Sequence, residues 1–200
     1  MIMKILIDNG HGENTPGKRS PDGKLREYAY TREIAERIVS ELRKRGYEAE
    51  RIVKEDTDVP LSERARRVNE NCGKFGSSNV LFISVHCNAA GSGGEWMKAR
   101  GWSAYTSKGK TKADALADSL YESARMYFTG QRIREDRSDG DPDWEESFYV
   151  LRKTKCPAVL TENFFQDNKE DVAYLLSEDG KQAIVSVHVD GIINYIKSNE

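Results

Sequence analysis

Short apolar runs alternate with amphipathic segments along the chain. The apolar runs predict strands at residues 4–8, 47–53, 79–85, 102–107, 147–151 and 157–162. Apolar residues that recur every three or four positions predict helices at residues 27–44, 112–128, 169–176 and 180–196, and a further helix that begins at Pro60 with Leu61 facing inward. Strands that alternate with helices form βαβ units. We therefore expect an α/β fold, in which a single domain spanning residues 1–200 holds a twisted, mostly parallel sheet of about six strands with helices on both faces.

The composition argues against several classes of protein. The 200 residues carry a formal net charge of −2 with acids and bases interspersed, so no charged surface favours nucleic acid. No apolar run approaches the roughly 18 residues that span a bilayer, so we expect no membrane insertion. The three cysteines are unclustered, which is typical neither of a disulfide framework nor of a thiolate zinc site. We expect a monomer.

Four polar residues from distant segments fall at one edge of the predicted sheet. His11 follows the first strand, His86 ends the apolar run at residues 79–85, and Glu162 ends the run at 157–162. Glu27 begins the crossover helix that follows the first strand, on the same edge. Ligands of open α/β sheets bind outside the carboxyl ends of the strands. These residues are therefore the candidate functional site.

The four side chains suit a metal-dependent hydrolase. Two imidazole nitrogens and one carboxylate form the usual protein shell of a catalytic zinc ion, which leaves a fourth position for water. The remaining carboxylate can accept the proton of that water and pass it to a leaving amine. The pattern of residues thus predicts metal-assisted hydrolysis with Zn²⁺ as the cofactor.

The sequence resembles the zinc-dependent N-acetylmuramoyl-L-alanine amidases of the amidase-3 type. The similar segments are IDNGHG, LREYAYTREIA, ISVHCNAA, PAVLTENFF and the closing helix GKQAIVSVHVDGIINYI, and the resemblance covers residues 4–196. It implies that His11, Glu27 and His86 bind Zn²⁺ and that Glu162 acts as general base and then as general acid. It also implies a six-stranded, mostly parallel sheet and cleavage of peptidoglycan between the lactyl group of N-acetylmuramic acid and L-Ala.

The sequence departs from the family pattern at three places. Thr31 stands where Asn is common, Cys87 follows the second histidine where a small residue is usual, and the strand GWSAYTS is only loosely similar. The last departure leaves the substrate contacts of that strand open. None of the three involves the four site residues.

Other polar residues have alternative interpretations. Glu13, Glu33 and Glu36 compete with Glu27 as the carboxylate ligand. His188 lies in a helix that is apolar on most sides, so we expect a packed, hydrogen-bonded residue. Cys87 is expected to be structural, because successive side chains of a strand point to opposite faces.

The acidic run EDRSDGDPDWEE at residues 135–146 resembles a calcium loop by composition. Aligning Gly140 with the glycine of an EF-hand places Arg137 on a position that requires an oxygen ligand, so that match fails. We expect a solvated loop beside the cleft, whose walls we place at residues 91–102 and 128–147.

Two other functions remain open at this stage. One is a zinc carboxypeptidase or deacylase with a related metal shell, and the other is a catalytically silent module that binds the cell wall. The sequence contains neither a signal peptide pattern nor a wall-binding repeat. We therefore expect an endolysin of phage type that reaches the wall at lysis, with a bacterial enzyme cut from its leader as the alternative.

Overall fold

A single six-stranded sheet forms the centre of the protein in the computed structural model, which describes residues 3–199. The strands are β1 (Lys4–Asn9), β2 (Glu48–Arg51), β3 (Val80–Asn88), β4 (Ser103–Thr106), β5 (Trp144–Glu145) and β6 (Ala158–Phe165). Their order is β2-β1-β3-β6-β4-β5, and every neighbouring pair is parallel except β4 and β6. The expected sheet of about six mostly parallel strands is confirmed.

Helices cover both faces of the sheet. They are α1 (Glu27–Lys44), α2 (Leu61–Phe75), α3 (Lys112–Tyr127), α4 (Tyr149–Lys153), α5 (Lys169–Leu176) and α6 (Glu178–Ser198), with one turn of 3₁₀ helix at Ser77–Asn79. Buried residues of α1, α3, α5 and α6 share one hydrophobic cluster, and those of α2 and α4 share the other. Within residues 3–199, no helix combines the length and the apolar character that crossing a bilayer requires.

The apolar runs of the central strands follow from this two-sided burial. Ile5 and Ile7 of β1 belong to the cluster under α1, whereas Leu6 belongs to the cluster under α2. In β3, Leu81 and Phe82 divide in the same way. A strand that is covered on both faces buries residues of either orientation, which explains why the runs in the sequence are apolar at most positions.

The predicted strand at residues 147–151 is wrong. Residues 149–151 of this segment form the start of the short helix α4. The strand at this edge of the sheet is β5, which lies just before it in the sequence. Val150 and Leu151 are both buried in the same cluster, which consecutive residues of a strand could not achieve because they point to opposite faces. The inward position of Leu61 is also wrong. As the first residue of α2, Leu61 has 53% of its surface exposed.

A bulge interrupts the pairing of β3 with β6 just beyond the predicted site. His86 pairs with Glu162, but the next pair is Asn88 with Phe165, so β6 contains one extra residue. Phe164 takes up the extra length with a φ of +62°, which is unusual for a residue with a side chain. Bulges are common next to active sites, where they redirect side chains.

Close contact between α3 and α6 predicts that Gly191→Ala is destabilising. A Cβ at Gly191 would lie 2.8 Å from Cδ2 and 3.0 Å from Cα of Leu120. We expect the free energy of unfolding to fall by about 1–3 kcal/mol, as for other overpacked interiors, in urea denaturation followed by circular dichroism.

Gly73→Ala in α2 is the matched control. Nothing lies within 4 Å of a Cβ at Gly73, so the better helix propensity of Ala should raise stability by up to about 1 kcal/mol. Equal stability of the two variants would contradict the packing at Gly191.

Candidate metal centre

Three of the predicted residues meet at the carboxyl edge of the sheet. The ligand atoms of His11, Glu27 and His86 all lie within 4.8 Å of one another. Glu27 Oε1 is 3.5 Å from His11 Nε2 and 3.3 Å from His86 Nδ1. The two imidazole rings stand edge to face, with centroids 5.0 Å apart. In residues 3–199 this is the one group of three such side chains that could hold a metal ion.

Glycines bring the first histidine to the centre. His11 follows β1 with a φ of +60°, between Gly10 and Gly12. A Cβ at Gly10 would lie 2.3 Å from Cε1 of His86, so only glycine lets this backbone approach the second imidazole. A Cβ at Gly12 would lie 2.0 Å from the backbone nitrogen of Asp58. The DNGHG segment is therefore constrained on both sides of the histidine.

A buried arginine of α2 forms hydrogen bonds with the same loop. Arg64 of α2 is 1% exposed, and its guanidinium donates to Asp8 Oδ1 at 2.5 Å and to the carbonyl oxygen of Asn9 at 2.7 Å. It also donates to the carbonyl oxygens of Val59 at 2.8 Å and His11 at 3.4 Å. Ser84 of β3 donates to the other oxygen of Asp8 at 2.7 Å, so the ion pair is hydrogen-bonded on both sides.

Glu27 is the most firmly held member of the cluster. It is the first residue of α1, where the partial positive charge of the helix N-terminus favours a carboxylate, and it is fully buried. Oε1 accepts a hydrogen bond from the backbone N–H of Cys87 at 3.0 Å, and Oε2 accepts one from Nε2 of Gln166 at 3.0 Å. Thr31, one turn along, donates to the carbonyl oxygen of Gly10 at 3.1 Å and ties α1 to the histidine loop.

Electrostatics favour a neutral His11 and an ionised Glu27. Burial lowers the pKa of His11 to about 4, so its imidazole is neutral at neutral pH and has one ring nitrogen with a free lone pair. Burial alone would raise the pKa of Glu27, but its hydrogen bond to His86 and the nearby imidazoles outweigh burial, and the net pKa is lowered. For His86, the contact with Glu27 outweighs burial, and its pKa is raised. A neutral imidazole and an ionised carboxylate are metal-ligating forms.

Glu162 lies beside the cluster on the neighbouring strand. It pairs with His86 in the register of β3 and β6, and its Oε2 is buried without a hydrogen-bond partner among residues 3–199. Burial raises the pKa of Glu162 to about 7, with the charge of Glu27 also raising it and that of His86 lowering it. A carboxyl group whose pKa is close to neutrality can both accept and donate a proton.

A cavity of about 530 Å³ opens beside these residues. Its polar wall includes His11, His86 and Glu162, and its apolar wall includes Pro60, Leu61, Phe148, Tyr149, Val150 and Leu160. The walls expected at residues 91–102 and 128–147 do not line this cavity. Leu61, which is 53% exposed, is one of the residues that line this cavity.

The competing residues lie elsewhere. Glu33 forms ion pairs with Arg37 and Lys181, and Glu36 pairs with Arg51. Glu13 is exposed in the loop after the first histidine. Neither Glu33 nor Glu36 therefore shares the cluster with the two histidines.

His188 and Cys87 have the structural positions that we expected. His188 is buried in α6, with Nδ1 2.7 Å from the carbonyl oxygen of Ile184 and Nε2 2.9 Å from Oγ1 of Thr161. The Cys87 side chain is buried in the core, and this burial raises the pKa of its thiol well above the usual range. Neither group faces the cavity.

Several supporting residues had no signal in the sequence. Gln166 reaches Glu27 across 139 positions, and Arg64 reaches Asp8 across 56. Asn163 follows Glu162 and donates to the carbonyl oxygen of His86 at 3.0 Å. Their roles depend on contacts between distant segments, which the sequence alone does not reveal.

The chain thus has an α/β fold with a His–Glu–His group that could hold a metal ion at the carboxyl edge of its sheet. The sequence model of the N-acetylmuramoyl-L-alanine amidase family, Amidase_3, matches residues 5–194. The chain belongs to this family, as the resemblance implied.

Curated relatives agree with this assignment. The chain is 32% identical to the endolysin of Bacillus phage SPP1 over 196 residues, which cover 96% of this chain and 65% of that protein. It is 29% identical to the N-acetylmuramoyl-L-alanine amidase CwlM of Bacillus licheniformis over 194 residues, which cover 96% of this chain and 68% of CwlM. The chain thus spans about two thirds of the length of these relatives.

Solved structures share the fold over the whole chain. The catalytic domain of CwlV, an N-acetylmuramoyl-L-alanine amidase from Bacillus (Paenibacillus) polymyxa var. colistinus, superimposes with a TM-score of 0.81 at 25% identity, covering 98% of this chain and 99% of that one. An N-acetylmuramoyl-L-alanine amidase from Clostridium difficile 630 has the same fold, with a TM-score of 0.85 at 24% identity and coverage of 100% and 99%.

The hydrogen bond from Gln166 to Glu27 predicts that Gln166→Leu weakens metal binding. Loss of a partner that orients a metal-ligating carboxylate typically lowers metal affinity by about 10–100-fold. We expect a loss of this size for Zn²⁺, measured by competition with a chromogenic chelator. Gln182→Leu is the control, because Gln182 is exposed on α6 and its amide forms a hydrogen bond with Ser186, one turn along the same helix. Equal Zn²⁺ affinity in the two variants would show that the hydrogen bond from Gln166 does not contribute to metal binding.

Proposed function

We propose that the chain hydrolyses peptidoglycan at the amide bond between the lactyl group of N-acetylmuramic acid and L-Ala of the stem peptide. One observation carries this proposal: the ligand atoms of His11, Glu27 and His86 converge within 4.8 Å, and Glu162 lies beside them in register with His86. Membership of the amidase family and the names of the relatives support the same reaction.

The donor set fits a zinc ion. Two imidazole nitrogens and one carboxylate oxygen suit zinc better than magnesium or calcium, which prefer shells of oxygen ligands. In our proposal His11, Glu27 and His86 hold the ion, which when bound polarises the scissile carbonyl and lowers the pKa of water to about 7. The hydrogen bonds of Cys87 and Gln166 to Glu27 keep the third ligand in place before the ion arrives.

Glu162 moves the proton in this proposal. Its unpartnered Oε2 is free to accept a proton from the attacking water, and the same oxygen then donates the proton to the nitrogen of the departing L-Ala. Burial, which raises the pKa of Glu162 to about 7, keeps the two protonation states close in energy. The cavity beside Glu162 provides room for the substrate, and its apolar wall limits access of bulk water to the reacting bond.

The names of the relatives indicate where the chain acts. The relatives include an endolysin of phage SPP1 and a probable cell wall amidase of Staphylococcus epidermidis, LytH. We propose that the chain acts at the cell wall as a monomer, with peptidoglycan or its muropeptides as the partner. Release at lysis, as for a phage endolysin, stays a prediction.

The position of Glu162 predicts that Glu162→Gln separates metal binding from turnover. Gln has the same shape but cannot accept the proton, so we expect kcat on muropeptides to fall by about 10²–10⁴-fold while zinc stays stoichiometric. Zinc content is measured by atomic emission and turnover by chromatography of released peptides. The control is Glu146→Gln, an exposed residue that should keep full activity. Undiminished turnover by a zinc-loaded Glu162→Gln protein would remove Glu162 from the mechanism.

Mass analysis of the products distinguishes this reaction from that of a zinc carboxypeptidase or deacylase. An amidase releases an intact stem peptide with a free amino group on L-Ala and leaves the glycan without peptide. Muropeptides that lose a single terminal residue, or only an acyl group, contradict the proposed bond. Adhesion to murein without any released product indicates the silent wall-binding module instead.

A further inference from the structure

A second cavity, of about 570 Å³, opens at the edge of the sheet opposite the metal centre. Its lining includes Pro157 and Ala158, where β6 begins, and Ser77 and Ser78, which precede β3. Ser107 follows β4 and reaches the same edge because β4 runs antiparallel to β6. The cavity therefore lies at the amino ends of β3 and β6, whereas the metal centre lies at their carboxyl ends.

The charged residues that line this cavity are all basic. They are Lys108, Lys112, Arg152 and Lys155. Among residues 3–199, no aspartate or glutamate lines the cavity, and none of the four basic side chains forms an ion pair. All four are exposed, so a ligand can reach them from solvent.

Nearby acids do not neutralise this charge. Glu145 accepts a hydrogen bond from the backbone N–H of Gly109 at 2.7 Å, and Asp114 accepts one from the backbone N–H of Thr111 at 2.8 Å. By contrast, two arginines of α2 pair with three glutamates. Like charges that share one concave surface repel each other, and an anion bound between them relieves that repulsion.

Serine hydroxyls supply further donors. Ser77, Ser78, Ser107 and Ser147 line the cavity, and the structure gives their hydroxyls no hydrogen-bond partner within residues 3–199. A hydroxyl can donate to an anionic oxygen or exchange hydrogen bonds with another hydroxyl. Four cations and four available hydroxyls around one cavity suit an anion that has several acceptor oxygens.

We propose that this cavity binds a phosphate group, either as the free ion or within a polyol phosphate chain. Phosphate combines negative charge with several strong acceptor oxygens, which match ammonium and guanidinium donors. The guanidinium of Arg152 offers a planar pair of donors, whereas the three lysines contribute point charges. The cavity is larger than a single phosphate ion, which leaves room for the neighbouring hydroxyl-bearing atoms of a chain.

The short helix α4 separates this cavity from the cleft at the metal centre. Leu151, Arg152 and the preceding Ser147 line the basic cavity, whereas Tyr149 and Val150 line the cleft. The two cavities share no lining residue, so both can be occupied at once. Phosphate binding at the basic cavity is therefore independent of the reaction proposed for the metal centre.

Nuclear magnetic resonance of the full, zinc-loaded chain tests this proposal. Sodium phosphate is added at constant ionic strength, and the backbone amide signals show where it binds. We expect saturable shifts at Ser77, Ser78 and Lys108, and none when sodium chloride replaces phosphate. Because phosphate can also contact the zinc ion, the signals of His11 and His86 are followed in parallel. The absence of saturable shifts at the cavity, or shifts confined to the metal centre, overturns the proposal.

Removal of single charges provides an independent measurement. Lys112→Gln and Arg152→Gln should each weaken phosphate binding by about three- to tenfold, because each removes a charged hydrogen-bond donor. Both side chains are exposed, so these variants should fold, which circular dichroism checks. Lys54→Gln is the matched control, since Lys54 is exposed and lies outside the cavity, and it should change the affinity by less than about twofold. Unchanged affinity in both cavity variants overturns the proposal.

A soluble poly(glycerol phosphate) distinguishes the two sources of phosphate. Tighter binding per phosphate than that of the free ion, weakened by the same two variants, supports the site and identifies a polyol phosphate chain as its ligand. Equal or weaker binding of the polymer supports the site with inorganic phosphate as its ligand. Failure of both probes to bind overturns the proposal, whatever the activity of the metal centre.

Discussion

The buried ion pair between Arg64 and Asp8 is the interaction on which the geometry of the site depends. Five hydrogen bonds from one guanidinium connect the end of β1, the loop that carries His11 and the start of α2. Burying such a pair costs several kcal/mol unless every polar atom is satisfied, and here both sides are. The pair therefore holds these three segments together. Removal of Arg64 leaves the buried Asp8 carboxylate with only the hydroxyl of Ser84 as a hydrogen-bond donor from a side chain. Since His11 adopts a left-handed backbone conformation, it needs this external support.

The sheet positions the other side of the site by register alone. His86 and Glu162 are neighbours because β3 and β6 pair in parallel, and the bulge that follows turns Asn163 back towards the carbonyl oxygen of His86. Asn163 also accepts a hydrogen bond from Nε1 of Trp102 at 3.0 Å, which connects β4 to the same point. Of the four candidate site residues, His86 and Glu162 thus lie on strands and Glu27 on the first turn of a helix, whereas His11 lies in the loop after β1.

The sequence was sufficient to predict the features that arise from local patterns. Periodicity predicted most of the helices and strands. The rule that ligands bind at the carboxyl ends of parallel strands predicted that His11, His86 and Glu162 lie at one edge of the sheet. The proximity of Glu27 to the two histidines was predicted from its place at a helix start and from the family resemblance. The strand at residues 147–151 failed because SFYVL suits a strand as well as it suits a short helix, and only tertiary packing decides. Gln166 and Arg64 could not be found, since their roles depend on partners 139 and 56 positions away.

Both edge strands of the sheet are poorly suited to pairing with another molecule, which matters while the chain is still folding. The last strand on one side, β5, contains only two residues, and β2 on the other side contains Glu48, Glu50 and Arg51 among its four. Short or charged edges are poor templates for the strands of another molecule. A chain that pairs strands far apart in sequence exposes such edges for longer than a helical bundle does. The fold therefore discourages intermolecular β-pairing at the stage when the protein is most prone to aggregate.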